Sequence, residues 1–278
     1  MVGLKLLKRS YTFIIFFFLY APIAVLIVFS FNDSKSRGNW AGFTTKWYSQ
    51  LFHDQQILKS LYYTIAIALI SSVFATVIGT AAAIGIHNMK RLMRKVVMNL
   101  TYLPVVNADI VTGISLMLLF IFIRIKLGFL SLLLAHITFN LPYVILSVLP
   151  KLRQLDRNVY EAALDLGATP LYAYFKVILP ELMPGVITGL LLAFTLSLDD
   201  FVISFFTTGS GVTNLSITIY SMARRGINPQ INALSTIMFV TVLVLLILVN
   251  YRMSRDARVT RDRKEKNKNA QDYLLQKA

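Results

Sequence analysis

Runs such as YTFIIFFFLYAPIAVLIVFSF at 11–31 are too long and too apolar to lie on the surface of a water-soluble fold. A bilayer core about 30 Å thick takes about 20 such residues in helical form. Six segments meet or approach that length, at 11–31, 58–86, 98–123, 127–149, 185–207 and 233–251. The first follows Lys5, Lys8 and Arg9, as a signal peptide would, but its apolar run is too long and no small-x-small site ends it. It is read as an uncleaved span. Only 15% of residues are charged, against about 25% in soluble domains, yet 28 Lys and Arg against 13 Asp and Glu leave a formal charge of +15. In a nucleic-acid binder the basic residues share the chain with polar surfaces, whereas here they sit between apolar runs. The expectation is an all-α polytopic membrane protein of six transmembrane helices with no nucleic-acid partner.

Twenty of the 28 Lys and Arg fall at the N-terminus, in 87–97, in 150–184 and in the tail from Arg252. By the positive-inside rule both termini are then cytoplasmic. Arg124 and Lys126, between the third and fourth spans, fall on the opposite side and run against the rule. Three parts result: 1–57, a first span and an outer amphipathic loop; 58–251, five spans with a cytoplasmic loop at 150–184; and 252–278, a basic tail that anchors and solvates. Loop 32–57 contains Trp40, Trp47, Tyr48 and Phe52 and is expected to form an interfacial aromatic belt. Loop 208–232, rich in Gly, Ser, Thr and Asn, is expected to be a solvent-facing connection able to meet a partner.

Several chemistries lack the residues they need. Cys is absent, which removes disulfides, thiolate nucleophiles and Cys-ligated zinc. His53, His87 and His136 show no metal-binding spacing. No GxxxxGK[ST] loop occurs, so ATP and Mg would have to be bound by another subunit. No cofactor is expected in this chain.

The loop KLRQLDRNVYEAALDLGATPLYAYFKVILPELMP has a helical grammar of its own. Asn158 and Glu161 have capping-box spacing. A short helix should then carry Val159, Ala162, Ala163 and Leu166 on one side, and Gly167 should end it with positive φ. Thr169-Pro170 should start a second helix, which Pro180 and Pro184 end at the membrane.

Glu161-Ala162-Ala163, three residues, Gly167, nine residues and then Val177-Ile178-Leu179-Pro180 resembles the EAA loop of permease subunits in binding-protein-dependent ABC importers. Val177 stands where that motif usually has Ile. The stretches 39–51, 109–116, 136–144, 161–169, 194–204 and 219–236 resemble the second permease subunit of spermidine/putrescine importers. The resemblance implies a type I ABC importer permease fold in a bacterial inner membrane, with Glu161, Ala162, Ala163 and Gly167 coupling to an ATPase. It also implies partners: a homologous permease, two copies of the ATPase, an extracytoplasmic binding protein and a polyamine.

Three acids lie within the apolar spans: Asp109, Asp199 and Asp200. A carboxylate at the bilayer centre costs at least about 2.5–3.5 kcal/mol, so such residues face a cavity or a partner. A polyamine is a partner of the right charge, and separated carboxylates on two helices match its separated ammonium groups. These acids would repel an anion. On a regular helix Asp200 aligns with Ser197, Ser204 and Thr207, and Asp199 with Thr195, Val202 and Ile203. The stripe favours Asp200 for the pathway and the resemblance favours Asp199. Each acid could instead serve the structure, Asp109 by capping a helix broken near Pro104 and Asn107. Trp47 joins the candidates through the resemblance, provided its loop folds over the pathway. The competing readings are a secondary cation carrier or channel using the same acids, and an ABC permease for another small solute.

Overall fold

The computed structural model describes residues 2–34, 39–225, 229–244 and 247, so the tail 252–278 and the end of the sixth expected span lie outside the described residues. There are two compact units, one of residues 54–224 and one of residues 1–53 together with the chain from 225 onward.

In the first of these, three long helices form the core: α3 (Gln55–Asn88), α6 (Phe129–Gln154) and α9 (Leu179–Asp199). Asp54 starts α3 by accepting from the backbone N–H groups of Gln56 and Ile57 at 3.0 and 3.2 Å. The buried stripe of α3 is built from small residues, among them Ser60, Thr64, Ala68, Ser71, Ala75, Gly79 and Ala83. The hydroxyls of Ser60, Thr64 and Thr76 donate to the carbonyls one turn back, so each stays partnered in apolar surroundings. Small residues let helix backbones come close, and three helices meet around the fully buried Val144 of α6. A Cβ at Gly79 would lie 2.8 Å from that of Val144, and one at Gly189 of α9 would lie 3.3 Å from the Val144 Cα.

The third expected span is not one helix. It is broken into α4 (Arg91–Val106) and α5 (Asp109–Phe122), bent by 107°. Pro104 weakens the last turn of α4, and extended backbone at Asn107 and Ala108 completes the break. The turn after α5 is closed by Arg124 at φ 59, with Ile125 N–H bonded to Phe120 O at 2.8 Å.

The 150–184 loop folds as α7 (Arg157–Asp165) and α8 (Pro170–Ala173), followed by a single π turn at Tyr174–Ile178 that leads straight into α9. Pro180 and Pro184 therefore do not end the second helix, as the sequence suggested; the helix passes through both. Pro180 has no N–H for the Lys176 carbonyl and its ring crowds that group. The wider turn, in which Leu179 N–H bonds five residues back to Tyr174 O, relieves this.

The span expected at 185–207 is also interrupted. α9 ends at Asp199, the chain is extended at Asp200, and a separate α10 (Val202–Thr207) follows. Loop 208–232 is more than a solvent-facing connection. Within it α11 (Leu215–Arg225) docks on α3, with Leu215 N–H bonded to Thr64 Oγ1 at 2.7 Å and Thr218 Oγ1 2.8 Å from Ser60 Oγ.

The other unit contains α1 (Val2–Phe29), α2 (Lys46–His53) and α12 (Pro229–Val244). Apolar side chains are exposed along α1 from Tyr11 to Val28, as suits a helix whose neighbours are lipid or another chain. Four helices, or five if α4 and α5 make one span, are long and apolar enough among the described residues to cross a membrane.

Candidate functional site

The loop after α6 is built by its caps. Asp156 starts α7, its Oδ1 accepting from Asn158 N–H at 3.0 Å. This replaces the Asn158–Glu161 capping box, because Asn158 already lies inside the helix. Gly167 ends α7 at φ 86. Ala168 N–H bonds to Ala163 O at 3.1 Å and Gly167 N–H to Leu164 O at 2.9 Å, the paired bonds of a Schellman cap. Thr169 Oγ1 accepts from Tyr172 N–H at 3.4 Å and starts α8, as expected. Tyr160 packs edge-on against Tyr174, holding α7 to the π turn.

The opposite side of the loop is open. Glu161 and Ala162 are exposed and Ala163 is half-buried. Leu166 is 89% exposed, and Val159, Leu171, Tyr172 and Phe175 are exposed too. Such a patch on a polar-flanked loop is the usual mark of a protein contact. A cleft of about 540 Å³ lies beside it, lined by His87, Arg94, Asp156, Tyr160, Glu161 and Tyr174 among others.

The three acids of the expected spans sit at helix interruptions. Asp109 is the first residue of α5 and is exposed, and its charge is favoured there by the helix N-terminus. α5 packs on α10 through Gly113, where a Cβ would meet Phe206 at 3.0 Å. Asp199 and Asp200 do not share a regular helix, so the stripe argument for Asp200 lapses. Asp200 turns inward, its side chain 6% exposed. Its two carboxylate oxygens accept from Ile203 N–H at 3.2 Å and Ser204 N–H at 2.7 Å, starting α10. Asn214 Nδ2 donates to the Asp200 carbonyl at 3.0 Å. Asp199 is exposed, and among the described residues its carboxylate is held only by its own backbone N–H, with no side-chain donor or cation beside it. It stands at the C-terminal end of α9, where the helix dipole adds to a negative potential that suits a cation.

Trp47 is 3% exposed, so it does not stand in an exposed belt. Its Nε1 donates to Asn32 O at 2.7 Å. Asn32 in turn holds the loop, with Oδ1 accepting from Ala41 N–H and Nδ2 donating to Asn39 O, both at 2.9 Å. Lys46 Nζ lies 4.7 Å from the centre of the indole and is ion-paired with Asp33. Trp40, Phe43 and Phe52 are the exposed aromatics of this segment. Trp47→Ala is expected to lower stability by about 3–5 kcal/mol. Trp47→Phe, which loses mainly one hydrogen bond, should cost about 1 kcal/mol. Thermal unfolding of the purified protein measures both.

Residues 75–255 match the family described as the binding-protein-dependent transport system inner membrane component. The chain belongs to that family. This permease is 42% identical over 247 residues to the spermidine/putrescine transport system permease protein PotC of Escherichia coli K12, covering 89% of this chain and 93% of the relative. It is 40% identical over 247 residues to the putrescine transport system permease protein PotI of the same strain, covering 86% and 88%. To PotC of Haemophilus influenzae it is 38% identical over 242 residues, covering 87% and 94%. Among solved structures, a bacterial ABC transporter involved in import of the acidic polysaccharide alginate matches with a TM-score of 0.70 at 13% identity, over 89% of this chain and 95% of that one. The inward-facing MetNI methionine ABC transporter matches at 0.58 with 18% identity, over 72% and 94%. At these identities the likeness speaks for the fold, which is that of ABC importer permeases.

Two features of the permease go beyond what the sequence predicts. His136 has no metal-binding spacing and counts there only within the resembling stretch 136–144, yet a polar HITFN in an apolar run is itself a signal of a buried polar contact. Asn32 had no signal, because its partners are backbone groups brought to it by the turn.

Proposed function

We propose that this chain is the membrane-spanning permease subunit of an ATP-driven importer of polyamines. In this reading it crosses the inner membrane six times with both termini in the cytoplasm. It pairs with a homologous permease, docks two copies of an ATPase that binds ATP and Mg, and receives spermidine or putrescine from an extracytoplasmic binding protein. It has no catalytic site or cofactor of its own. Glu161, Ala162, Ala163 and Gly167, with the exposed Leu166 beside them, form the surface that meets the ATPase.

The observation that carries the substrate is Asp199, an exposed carboxylate with no side-chain partner at the end of a broken apolar helix. Its charge and the negative end of the α9 dipole attract ammonium groups. The likeness to the spermidine/putrescine permeases supports the same substrate class. Asp109, on a second broken span, serves as the other charged contact. Asp200 supports the pathway from behind by fixing the break. Trp47 remains a candidate for the pathway through the likeness to the polyamine permeases, and Lys46 over its ring marks a face that a cation can occupy.

Reconstitution in liposomes tests the proposal. The assembled complex is expected to accumulate spermidine or putrescine only with ATP and binding protein, and this chain alone to be inert. Uptake by the chain alone would establish the secondary carrier. ATP-driven import of a different solute without polyamine uptake would overturn the substrate.

A further inference from the structure

His136 lies in the first half of α6 and is 1% exposed. Its Nδ1 is 2.5 Å from Ser197 Oγ on α9, and its Nε2 is 2.9 Å from Ser204 Oγ on α10 and 3.6 Å from Asp200 Oδ2. Ser197 Oγ continues to Ser71 Oγ on α3 at 3.0 Å, and Asn140 Nδ2, one turn further along α6, reaches Ser71 at 3.5 Å. An imidazole with one ring proton donates through one nitrogen and accepts through the other. It therefore joins both serines at once. The carboxylate beside Nε2 favours the proton on that side, so that Ser197 donates to Nδ1 and Nε2–H donates to Ser204. A buried polar chain of this kind is costly when any member loses its partner, which restricts the four helices to one arrangement.

The helices joined here are the ones that flank the coupling loop. From His136, α6 runs about five turns to Gln154 and then directly into α7. From Ser197, α9 runs back about five turns to Leu179 and the π turn. Between these points the two helices pack closely. A Cβ at Gly185 would lie 3.0 Å from Ser147 O, and one at Gly189 would lie 3.3 Å from the Val144 Cα. The loop is thus the near end of a helical hairpin whose far end is closed by His136 and Ser197. Through Ser204 and Asp200 the same ring holds the break that carries Asp199.

We infer that His136 is a positioning residue that makes α6, α9 and α10 move as one body, so that displacement of the coupling loop reaches Asp199. This rests on the import function proposed above and not on which cation is carried. Without the ring the loop still moves with the ATPase, but α9 and α10 no longer follow α6 at their far ends.

The test measures ATP hydrolysis and polyamine accumulation together in liposomes containing the whole complex, for His136→Leu, His136→Gln and Ser197→Ala. In His136→Leu, hydrolysis stimulated by the binding protein should stay within about twofold of the unaltered complex while the ATP used per polyamine rises about fivefold or more. Ser197→Ala should move the ratio in the same direction by less. His136→Gln, which keeps a donor and an acceptor, should bring it back toward the unaltered value. An unchanged ratio, or hydrolysis and uptake falling in proportion, would overturn the inference. So would failure of all three variants to assemble, which would make the ring a folding requirement only. If the unaltered complex imports another solute, the substrate proposal fails, and the ratio is read with that solute.

Discussion

Leu166→Asp and Gly167→Val should each abolish ATP hydrolysis stimulated by the binding protein while leaving the permease inserted in the membrane. The two act differently. Leu166 is 89% exposed, so its replacement costs the isolated chain little. In the assembly it would bury a charge in an apolar contact, a loss of about 2 kcal/mol or more, or roughly thirtyfold weaker ATPase binding. Gly167 stands at φ 86 with nothing within 4 Å of an added Cβ. A Val there meets no neighbour, and its cost of about 1 kcal/mol or more is backbone strain alone. That strain opens the Schellman bonds to Ala163 and Leu164 and changes the angle between α7 and α8. Co-purification of the ATPase should fail for Leu166→Asp, whereas Gly167→Val should retain some ATPase without stimulation. Normal binding and stimulation in both variants would remove 150–184 from the coupling role.

Asp199→Asn should reduce polyamine uptake by roughly ten- to hundredfold with assembly intact, since a charge-assisted contact of about 1.5–3 kcal/mol is lost without a change of volume. Asp200→Asn provides the contrast. An Asn side chain keeps an acceptor for the start of α10, so uptake should fall far less. Asp200→Ala removes the cap and should instead lower stability by about 0.5–2 kcal/mol. Uptake of labelled spermidine at saturating ATP separates the three. Equal loss in Asp199→Asn and Asp200→Asn would mean that the break, and not the exposed carboxylate, is what transport needs.

The apolar runs, the Gly167 turn and the Thr169 cap were legible because each is set by residues close in sequence. The two helix breaks were less so. Pro104 and Asn107 mark the first, but no local signal marks the second. Asp200 is released from α9 by Asn214, fourteen residues on, and by the start of α10, so a period count through 185–207 continued a helix that tertiary hydrogen bonds end. The passage of α9 through Pro180 was hidden for the opposite reason: proline normally stops a helix, and a π turn is a rare means of accommodating it. Among the site residues, sequence selected both candidate acids of the pair but not their division of labour, which depends on which carboxylate finds backbone N–H groups.

The 34 residues of α3 span about 51 Å, against a hydrocarbon core of about 30 Å. Even a tilt of about 40°, the upper end of what membrane helices show, leaves roughly two turns in the headgroups or in water. The end of α3 that carries His87 and Asn88 walls the same cleft as Tyr160 and Glu161. A bilayer that thins or thickens by a few ångströms therefore changes how much of α3 stands in the headgroup layer, at a fraction of a kcal/mol per ångström. It does not change how α3 packs against the 150–184 loop, so in the proposed reading the surface offered to the ATPase is insulated from the lipid composition around it.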